Sequence, residues 1–370
     1  MVEVPAMAAV PGWVNLPVVL MRGGTSKGVF LRMTDLPPDR TIRDGLLLRL
    51  MGSPDPMQLD GLGGSHSSTS KVMAVGPAAD PGTADVDYLF AQVAIDAAVV
   101  DYTGNCGNLT AAVAHYAVDE ALVAVTEPYT TLRMRNLNTN VVVQATVAVH
   151  SGRAAWMGDT VIDGVPGSGA PLVTEYLDPA GSVTGALFPT GERTELLGGH
   201  EVSLVDVASP YLFVRSSSLG LRGDELPAEL NTRPSLLAEL EAMRTEAGRR
   251  IGVDSLAIPR MVLLSEGRDL RVQATSMGRV HHALPMTGAL CTAAAARLAG
   301  TVVHQLCRPP SPGQVGADTG AGAGAGSGDV VRICHPKGAV EATVRVEGDQ
   351  VRSAGVVRTA RRLLSGTAHL

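Results

Sequence analysis

The stretch Thr103-Gly104-Asn105-Cys106-Gly107-Asn108 runs directly into apolar residues from Leu109 to Val123. The glycine-flanked segment predicts a turn, and the apolar run predicts a buried helix that begins at this turn. Backbone N–H groups at a helix start are unpaired and carry partial positive charge, so they favour a thiolate or a bound carboxylate. Cys106 is therefore a candidate reactive thiol at the start of a central helix.

A second polar segment, Gly63-Gly64-Ser65-His66-Ser67-Ser68-Thr69-Ser70-Lys71, precedes the apolar run Val72 to Val75. Glycines in both segments allow substrate atoms to approach the main chain closely, because glycine has no Cβ. Read together, the two segments predict proton-transfer chemistry on a small anion.

The size and composition of the chain narrow its class. Its 370 residues predict two domains of similar size, and a hydrophobic share of 45% is enough for a core in each. The net charge of -6 argues against a general nucleic-acid binder, so we expect no nucleic-acid partner. An anionic substrate must then be held by local donors.

Cysteine usage and hydropathy favour a cytoplasmic protein. The four cysteines show no framework of close, repeated spacings, which is typical of a reducing compartment. No basic segment followed by an apolar one marks a signal peptide. The most apolar long stretch, Leu284 to Val303, is interrupted by Pro285 and Arg297, so we expect no membrane partner.

Short β-rich runs separated by turn residues dominate the chain, and three helices are predicted among them. The helices are Leu109 to Val123, Leu236 to Gly248 and Gly288 to Leu298, of which the middle one is amphipathic and the other two are apolar nearly all round. The strands are predicted at 14–21, 28–32, 72–75, 88–95, 141–149, 202–207, 211–214, 261–264, 270–274, 330–333 and 342–346.

The order of these elements repeats in the two halves of the chain. Ser70-Lys71-Val72-Met73-Ala74-Val75 has its echo in Pro259-Arg260-Met261-Val262-Leu263-Leu264, and Thr103-Gly104 before an alanine-rich helix has its echo in Thr287-Gly288. This pattern predicts a duplication, with domains 1–195 and 196–370 facing each other across a cleft. Residues 309–329, rich in Gly, Ala, Pro and Ser, are predicted to be a flexible insertion.

Five motifs follow one another along the chain. They are Arg22-Gly23-Gly24-Thr25-Ser26-Lys27-Gly28, Met51-Gly52-Ser53-Pro54-Asp55, Ser68-Thr69-Ser70-Lys71-Val72, Asn105-Cys106-Gly107-Asn108 and Leu284-Pro285-Met286-Thr287-Gly288-Ala289. Together they closely resemble the PrpF family, and the resemblance covers nearly the whole chain apart from that insertion. That family contains 2-methylaconitate cis-trans isomerases and 4-oxalomesaconate tautomerases.

The resemblance implies an α/β (α+β) fold like that of diaminopimelate epimerase. In that fold two pseudo-symmetric domains, each a curved, mostly antiparallel sheet around a central helix, enclose the active site. It also implies an isomerase that works without metal or organic cofactor. Residues 51–56 and 86–90 resemble most the branch that acts on 4-oxalomesaconate, with 2-methylaconitate as the alternative substrate.

The same resemblance assigns roles to individual residues. Lys71 is implied to be the general base or proton shuttle, and Cys106 is the second acid/base candidate. Lys27 stands in the same Thr-Ser-Lys context as Lys71, so only the resemblance separates the two lysines. The residues expected to bind the substrate carboxylates are Arg22, Thr25, Ser26, Ser68, Thr69, Gly107, Asn108, His281, Met286, Thr287 and Gly288, with Arg279 as a further source of charge.

Epimerases and racemases of this fold place a cysteine at the start of each central helix. Here the sequence echo of Asn105-Cys106 is Ala289-Leu290, and Cys291 comes one position late. The chain therefore departs from the two-cysteine pattern, and we do not expect racemisation.

Other interpretations of these residues stay open from sequence alone. Cys106 is compatible with an ordinary buried cysteine, and Lys71 with a surface lysine whose stem covers apolar residues. A carboxylate-binding protein without catalytic activity would keep the same cleft.

The expected partner is a small polycarboxylate. A homodimer is compatible with the chain. The two predicted lobes suggest that the protein closes over its ligand.

No metal is expected, because His304, Cys307, Cys334 and His335 match no standard ligand spacing. The adjacent His281 and His282 are interpreted as a wall of the site, since neighbouring side chains are expected to point apart. The arginines near the C-terminus, Arg358, Arg361 and Arg362, are interpreted as one solvated helix face.

Overall fold

The structure, a computed structural model, describes residues 14–266, 269–307 and 328–370. The first lobe begins with a hairpin and encloses one long buried helix. Its elements are β1 (Asn15–Gly23), β2 (Ser26–Arg32), α1 (Arg40–Met51), β3 (Lys71–Pro77), β4 (Val86–Val93), β5 (Val100–Asp101), α2 (Gly107–Asp119), β6 (Tyr129–Asn136), β7 (Val142–His150), β8 (Arg153–Ala154), β9 (Thr160–Val161), β10 (Ser168–Gly169) and β11 (Leu172–Leu177).

The second lobe has the same kind of architecture, with a second buried helix and one amphipathic helix on its surface. Its elements are β12 (Glu195–Leu197), β13 (His200–Asp206), β14 (Pro210–Arg215), α3 (Pro227–Leu230), α4 (Pro234–Arg250), β15 (Arg260–Ser265), β16 (Leu270–Ser276), β17 (Arg279–Val280), α5 (Met286–Arg297), α6 (Val302–Leu306), β18 (Asp329–His335), β19 (Gly338–Glu347) and β20 (Gln350–Arg358), followed by β21 (Ala360–His369).

The strand pairings of the two lobes follow one plan, which confirms the predicted fold class and its pseudo-symmetry. In the first lobe β1–β2 is antiparallel, β2–β3 parallel, β3–β4 antiparallel, β4–β6 parallel and β6–β7 antiparallel. The second lobe repeats this series as β13–β14, β14–β15, β15–β16, β16–β18 and β18–β19, with the same directions.

Two pairings join the lobes into one sheet. Strand β11 pairs with β7 of its own lobe and with β20 of the second, and β21 returns to pair with β1 along its whole length. The division at residues 195 and 196 remains a prediction, and the last strand crosses it.

Helices α2 and α5 each lie at the centre of a lobe. Residues 107–118 of α2 and 286–296 of α5 are all buried, as their apolar sequences predict. The sheet approaches α2 so closely that a Cβ on Gly23 of β1 would lie 2.2 Å from the Asn108 carbonyl oxygen. Helix α4 buries Leu236, Leu240 and Met243 and exposes its other side, as predicted.

Two sequence interpretations need correction or restriction. The terminal arginines are not on a helix: Arg358 ends β20, and Arg361 and Arg362 lie on β21, where Arg362 pairs with Glu120 at 2.7 Å. The predicted insertion at 309–329 lies outside the described residues up to 327, and Asp329 already begins β18. Among the helices of the described residues, none combines the length and apolar character needed to cross a membrane.

Candidate active site

The N-termini of the two central helices meet at one cavity between the lobes. Its volume is about 20 Å³, enough for a single water molecule. Both lobes contribute to its wall. The lining residues are Ser26, Ser67, Ser68, Lys71, Asn105, Cys106, Gly107 and Asn108 from the first lobe, and Arg260, Ser276, His281, Pro285, Met286 and Thr287 from the second.

Lys71 brings a buried amine to this cavity. It is the first residue of β3, and its Nζ donates a hydrogen bond to Oε1 of Gln92, its antiparallel neighbour on β4. The ring centroid of Phe90 lies 5.2 Å from Nζ. Burial, assisted by the positive charge of Arg260 and opposed by Cys106, lowers the pKa of Lys71 to about 8.

Gln92 holds the lysine in place, and sequence analysis did not identify it. Its Nε2 donates to the carbonyl oxygens of Ser70, at 2.9 Å, and Ser67, at 3.2 Å. These bonds fix the amide so that its oxygen faces Lys71. No local sequence signal marks Gln92, because its role depends on the register between β3 and β4.

Cys106 lies at the start of α2, as predicted. It is the N-cap residue, its side chain is 8% exposed, and its Sγ lies 3.7 Å from Oγ of Ser26 on β2. A Cβ on Gly107 would lie 2.5 Å from Cε of Met286, so glycine is needed where the two helices approach. The thiol therefore faces a narrow space bounded by both lobes.

Arg260 is the functional candidate that sequence analysis missed. It begins β15, lines the cavity, and is fully buried, with Nη1 3.4 Å from the Tyr211 hydroxyl and no partner for Nε among the described residues. Burial pushes the pKa of Arg260 down, but Tyr211 and Cys106 outweigh it and the net shift is upward. A buried guanidinium that stays charged and lacks a carboxylate partner is a ready binding group for a substrate anion. The sequence echo of Ser70-Lys71 in Pro259-Arg260 is the signal that could have identified the position, although not its role.

The structure brings most of the predicted site residues together. Nine of them line the cavity: Ser26, Ser68, Lys71, Cys106, Gly107, Asn108, His281, Met286 and Thr287.

Five other predicted residues do not line it. The Arg22 guanidinium donates to the carbonyl oxygens of Gly24 and Thr359, and Thr25 accepts a hydrogen bond from Nδ2 of Asn108 at 3.0 Å. Thr69 donates to the carbonyl oxygen of His66, and Gly288 lies inside α5. Arg279 is exposed.

The register of the second helix differs from the one expected from the sequence echo. Helix α5 begins at Met286 with Pro285 as its N-cap, so Pro285 is the structural counterpart of Cys106, and Leu290 is not. Cys291 is buried within α5, and its Sγ lies 3.4 Å from the Val205 carbonyl oxygen. The cavity therefore contains one cysteine from the described residues.

The histidine pair also corrects a prediction. The rings of His281 and His282 do not point apart but stack, with centroids 4.4 Å apart and planes 23° from parallel. The expectation fails because alternation of side chains belongs to extended strands, and these residues lie in the loop between β17 and α5. His66 of the first lobe packs edge-on against both rings.

Comparisons with known proteins identify the family. The family profile described as "PrpF protein" matches residues 13–370. The chain is 39% identical to 3-methylitaconate isomerase of Eubacterium barkeri, over 96% of this chain and 97% of that protein. It is 38% identical to 4-oxalomesaconate tautomerase of Pseudomonas putida, over 96% of each, and 33% identical to 2-methyl-aconitate isomerase of Shewanella oneidensis, over 97% and 96%.

Solved structures agree with this result. The crystal structure of methylitaconate-delta-isomerase is 38% identical, covers 97% of this chain and 96% of its own, and has a TM-score of 0.75. A hydroxyproline epimerase from Agrobacterium vitis shares the fold alone, with a TM-score of 0.59 over 96% and 93% of the two chains at 12% identity. The family profile and the isomerases and tautomerases among these relatives show that this chain is an isomerase and that it belongs to the PrpF family.

Proposed function

We propose that this protein moves a proton and a double bond within a small unsaturated polycarboxylate, without an organic cofactor, and that its substrate is 4-oxalomesaconate. The observation that carries the proposal is the placement of Lys71, Cys106 and Arg260 around a single buried cavity. An amine, a thiol and an anion-binding guanidinium are the groups that such a proton shift requires.

The chemistry can be followed through these three side chains. The neutral Lys71 amine takes a proton from the carbon beside a carbonyl or carboxylate group, and the electron pair spreads into an enolate-like intermediate. Arg260 and the N–H groups at the start of α2 stabilise the charge that develops on oxygen. Cys106 then donates its proton to the far carbon, or to the oxygen in a keto–enol shift. The opposite order, with the Cys106 thiolate as base and the Lys71 ammonium as acid, uses the same atoms.

A neighbouring cavity favours a substrate with more than two anionic groups. This cavity, of about 330 Å³, shares Asn108 with the small one and is lined by the buried Arg358. Burial lowers the pKa of Arg358 to about 10, which still leaves the guanidinium charged at neutral pH. The only hydrogen bond that this guanidinium makes within the described residues goes to the carbonyl oxygen of Val357. A tricarboxylate that reaches past Asn108 would place one carboxylate at Arg260 and another at Arg358.

Two other substrates have specific support. The first is 2-methylaconitate, which is also a tricarboxylate and is the substrate named for the Shewanella oneidensis relative. The second is 3-methylitaconate, a dicarboxylate, because the relative of that name is 39% identical and a solved structure of such an isomerase has the same fold.

The test is a comparison of the three substrates under identical conditions. Purified protein is incubated with each in deuterated water, and proton NMR follows isomer formation and deuterium entry at the migrating position. We expect the largest kcat/KM for 4-oxalomesaconate. A larger value for another of the three would replace the substrate but keep the reaction. Unchanged spectra for all three at high enzyme concentration would reject the proposal.

A further inference from the structure

Three histidines from both lobes form a cluster beside the cavity. His66 comes from the loop between α1 and β3 of the first lobe, and His281 and His282 from the loop before α5 of the second. Their ring centroids are 4.4 to 5.5 Å apart. One ligand nitrogen from each residue lies within 4.8 Å of the other two, close enough to share one ion after small side-chain shifts.

We propose that His66, His281 and His282 bind a divalent transition-metal ion, with Zn²⁺ as the best match, and that the bound ion clamps the two lobes together. Imidazole nitrogen is a preferred ligand of Zn²⁺, Co²⁺ and Ni²⁺. Three protein ligands with a fourth position left open is a common zinc geometry. His281 also lines the small cavity, but neither Lys71 nor Cys106 is a ligand in this site, and the ion takes no part in the reaction.

A hydrogen bond prepares one of the rings for a metal. Nδ1 of His281 lies 2.7 Å from the Ala283 carbonyl oxygen, and when Nδ1–H donates to this oxygen, Nε2 keeps its lone pair for the ion. Ligating histidines commonly donate their second nitrogen in this way. Nδ1 of His66 instead accepts a hydrogen bond from the backbone N–H of Ser68 at 3.1 Å, so the proton of that ring must move before Nε2 can bind the ion. His282 makes no hydrogen bond to the described residues, so its ring is available to complete the set.

The charges around the cluster bear on how an ion would bind. The charged groups that influence the cluster are the cations Lys71, Arg279 and Lys337. These cations disfavour a bare dication, and hydroxide as the fourth ligand offsets part of this repulsion.

A bound ion would slow the entry of the substrate and the release of the product. The cavity of about 20 Å³ is far smaller than the roughly 300–1,000 Å³ of ordinary small-molecule sites, so a polycarboxylate enters only when the lobes separate. Because the ligands come from both lobes, the ion holds them together. Zn²⁺ should therefore slow turnover, and a chelator should restore it. This effect on turnover rests on the proposed function, whereas metal binding itself does not.

Binding is tested on the full-length protein with Co²⁺ and Zn²⁺ as probes. We expect visible absorption typical of tetrahedral Co²⁺ that Zn²⁺ displaces, and calorimetric binding of one Zn²⁺ per chain. His282→Asn and His66→Gln should weaken this binding at least tenfold, whereas the matched surface variant His150→Asn should not. Thermal melting without metal shows that the variants are folded. A wild-type protein without these signals, or a His282→Asn variant that binds as tightly, would overturn the site.

Turnover is measured separately, with whichever substrate the NMR comparison identifies. The ratio of kcat without metal to kcat with added Zn²⁺ is measured for each protein, and it should be at least tenfold larger for the wild type than for His282→Asn. Zn²⁺ that binds through these histidines without slowing the wild type would overturn the clamp. If no substrate reacts, the proposed function fails, while the Co²⁺ and calorimetric results still decide whether the metal site exists.

Discussion

The two lobes share a plan of strand pairing but carry different chemistry at matching positions. Lys71 begins the strand β3, which pairs in parallel with β2, and Arg260 begins β15, which pairs in parallel with β14. Cys106 caps the central helix of the first lobe, and Pro285 caps that of the second. The amine and the thiol of the cavity therefore lie in the first lobe, and a permanent cation lies opposite them.

The difference shows how burial acts on two kinds of cation. Burial lowers the pKa of the Lys71 amine to about 8, so a sizeable neutral fraction exists at neutral pH. A guanidinium is intrinsically so basic that Arg260 stays charged when buried. On one shared plan of strand pairing, the first lobe thus carries an amine suited to proton transfer and the second a guanidinium suited to anion binding. A pair of reactive groups within a single lobe suits a shift along a carbon skeleton better than inversion between its two faces.

The largest expected effect comes from removing the amine of the first lobe. Lys71→Ala should lower kcat about a hundredfold or more, because a positioned acid or base typically contributes 10²–10⁴-fold. Substrate binding, measured by calorimetry, should persist. Lys27→Ala is the matched control, since Lys27 has the same local sequence but does not line the cavity. Similar losses in both variants would contradict the distinction between the lysines.

Cys106→Ser should reduce kcat by roughly a hundredfold, because a serine hydroxyl is a much weaker acid than a thiol at the same helix start. Cys291 gives the comparison within the second lobe. Its thiol is buried, and burial raises its pKa well above the usual range. Cys291→Ser should change thermal stability more than kcat. Equal kcat losses in two well-folded variants would mean that the second lobe also supplies a reactive sulfur.

Arg260→Met should raise KM by about ten- to a hundredfold, which corresponds to the ~1.5–3 kcal/mol of a charge-assisted hydrogen bond. It should also move the pH profile. As the base, Lys71 acts only when deprotonated, so kcat/KM of the wild type should rise with pH through about 8. The variant lacks the positive charge of Arg260, so the pKa of Lys71 should be higher. The rise in kcat/KM should therefore occur at higher pH than in the wild type. If the pH dependence of kcat/KM does not shift in this variant, the charge of Arg260 does not influence the pKa of Lys71.

A smaller effect is expected at the neighbouring cavity of about 330 Å³, which Arg358 lines. Arg358→Met should raise KM severalfold for a tricarboxylate and less for a dicarboxylate such as 3-methylitaconate, because only the longer anion reaches past Asn108. The ratio of the two KM changes is the measurement. Equal changes for both substrates would mean that Arg358 stabilises the fold and does not recognise the third carboxylate.

Local patterns predicted the central elements and the helix-start cysteine well. Helices α2 and α5 are continuous apolar runs, and hydrophobic burial alone determines where such runs go. The cluster of Ser26, Ser68, Lys71 and Cys106 at one cavity followed from glycine-rich segments and the family resemblance. Each helix and each glycine-rich motif is a run of neighbouring residues, whereas the expectation that the motifs converge came from the family resemblance.

The missed features depend on distant contacts. Arg361 and Arg362 were interpreted as part of a solvated helix face, whereas they lie on β21, whose pairing with β1 joins opposite ends of the described chain. Gln92 and Arg260 acquire their roles only through strand register. The stacking of His281 on His282 follows from a loop conformation that no periodicity describes.

The junction of the sheets has a consequence for protein engineering. The sequence reads as two repeats, but β20 borders β11 and β21 borders β1, so the second repeat supplies edge strands to the first. Expressed alone, residues 1–195 would leave two hydrogen-bonding edges without partners, which invites aggregation. The two lobes therefore depend on each other's strands, and a split version should regain solubility only when both fragments are produced together.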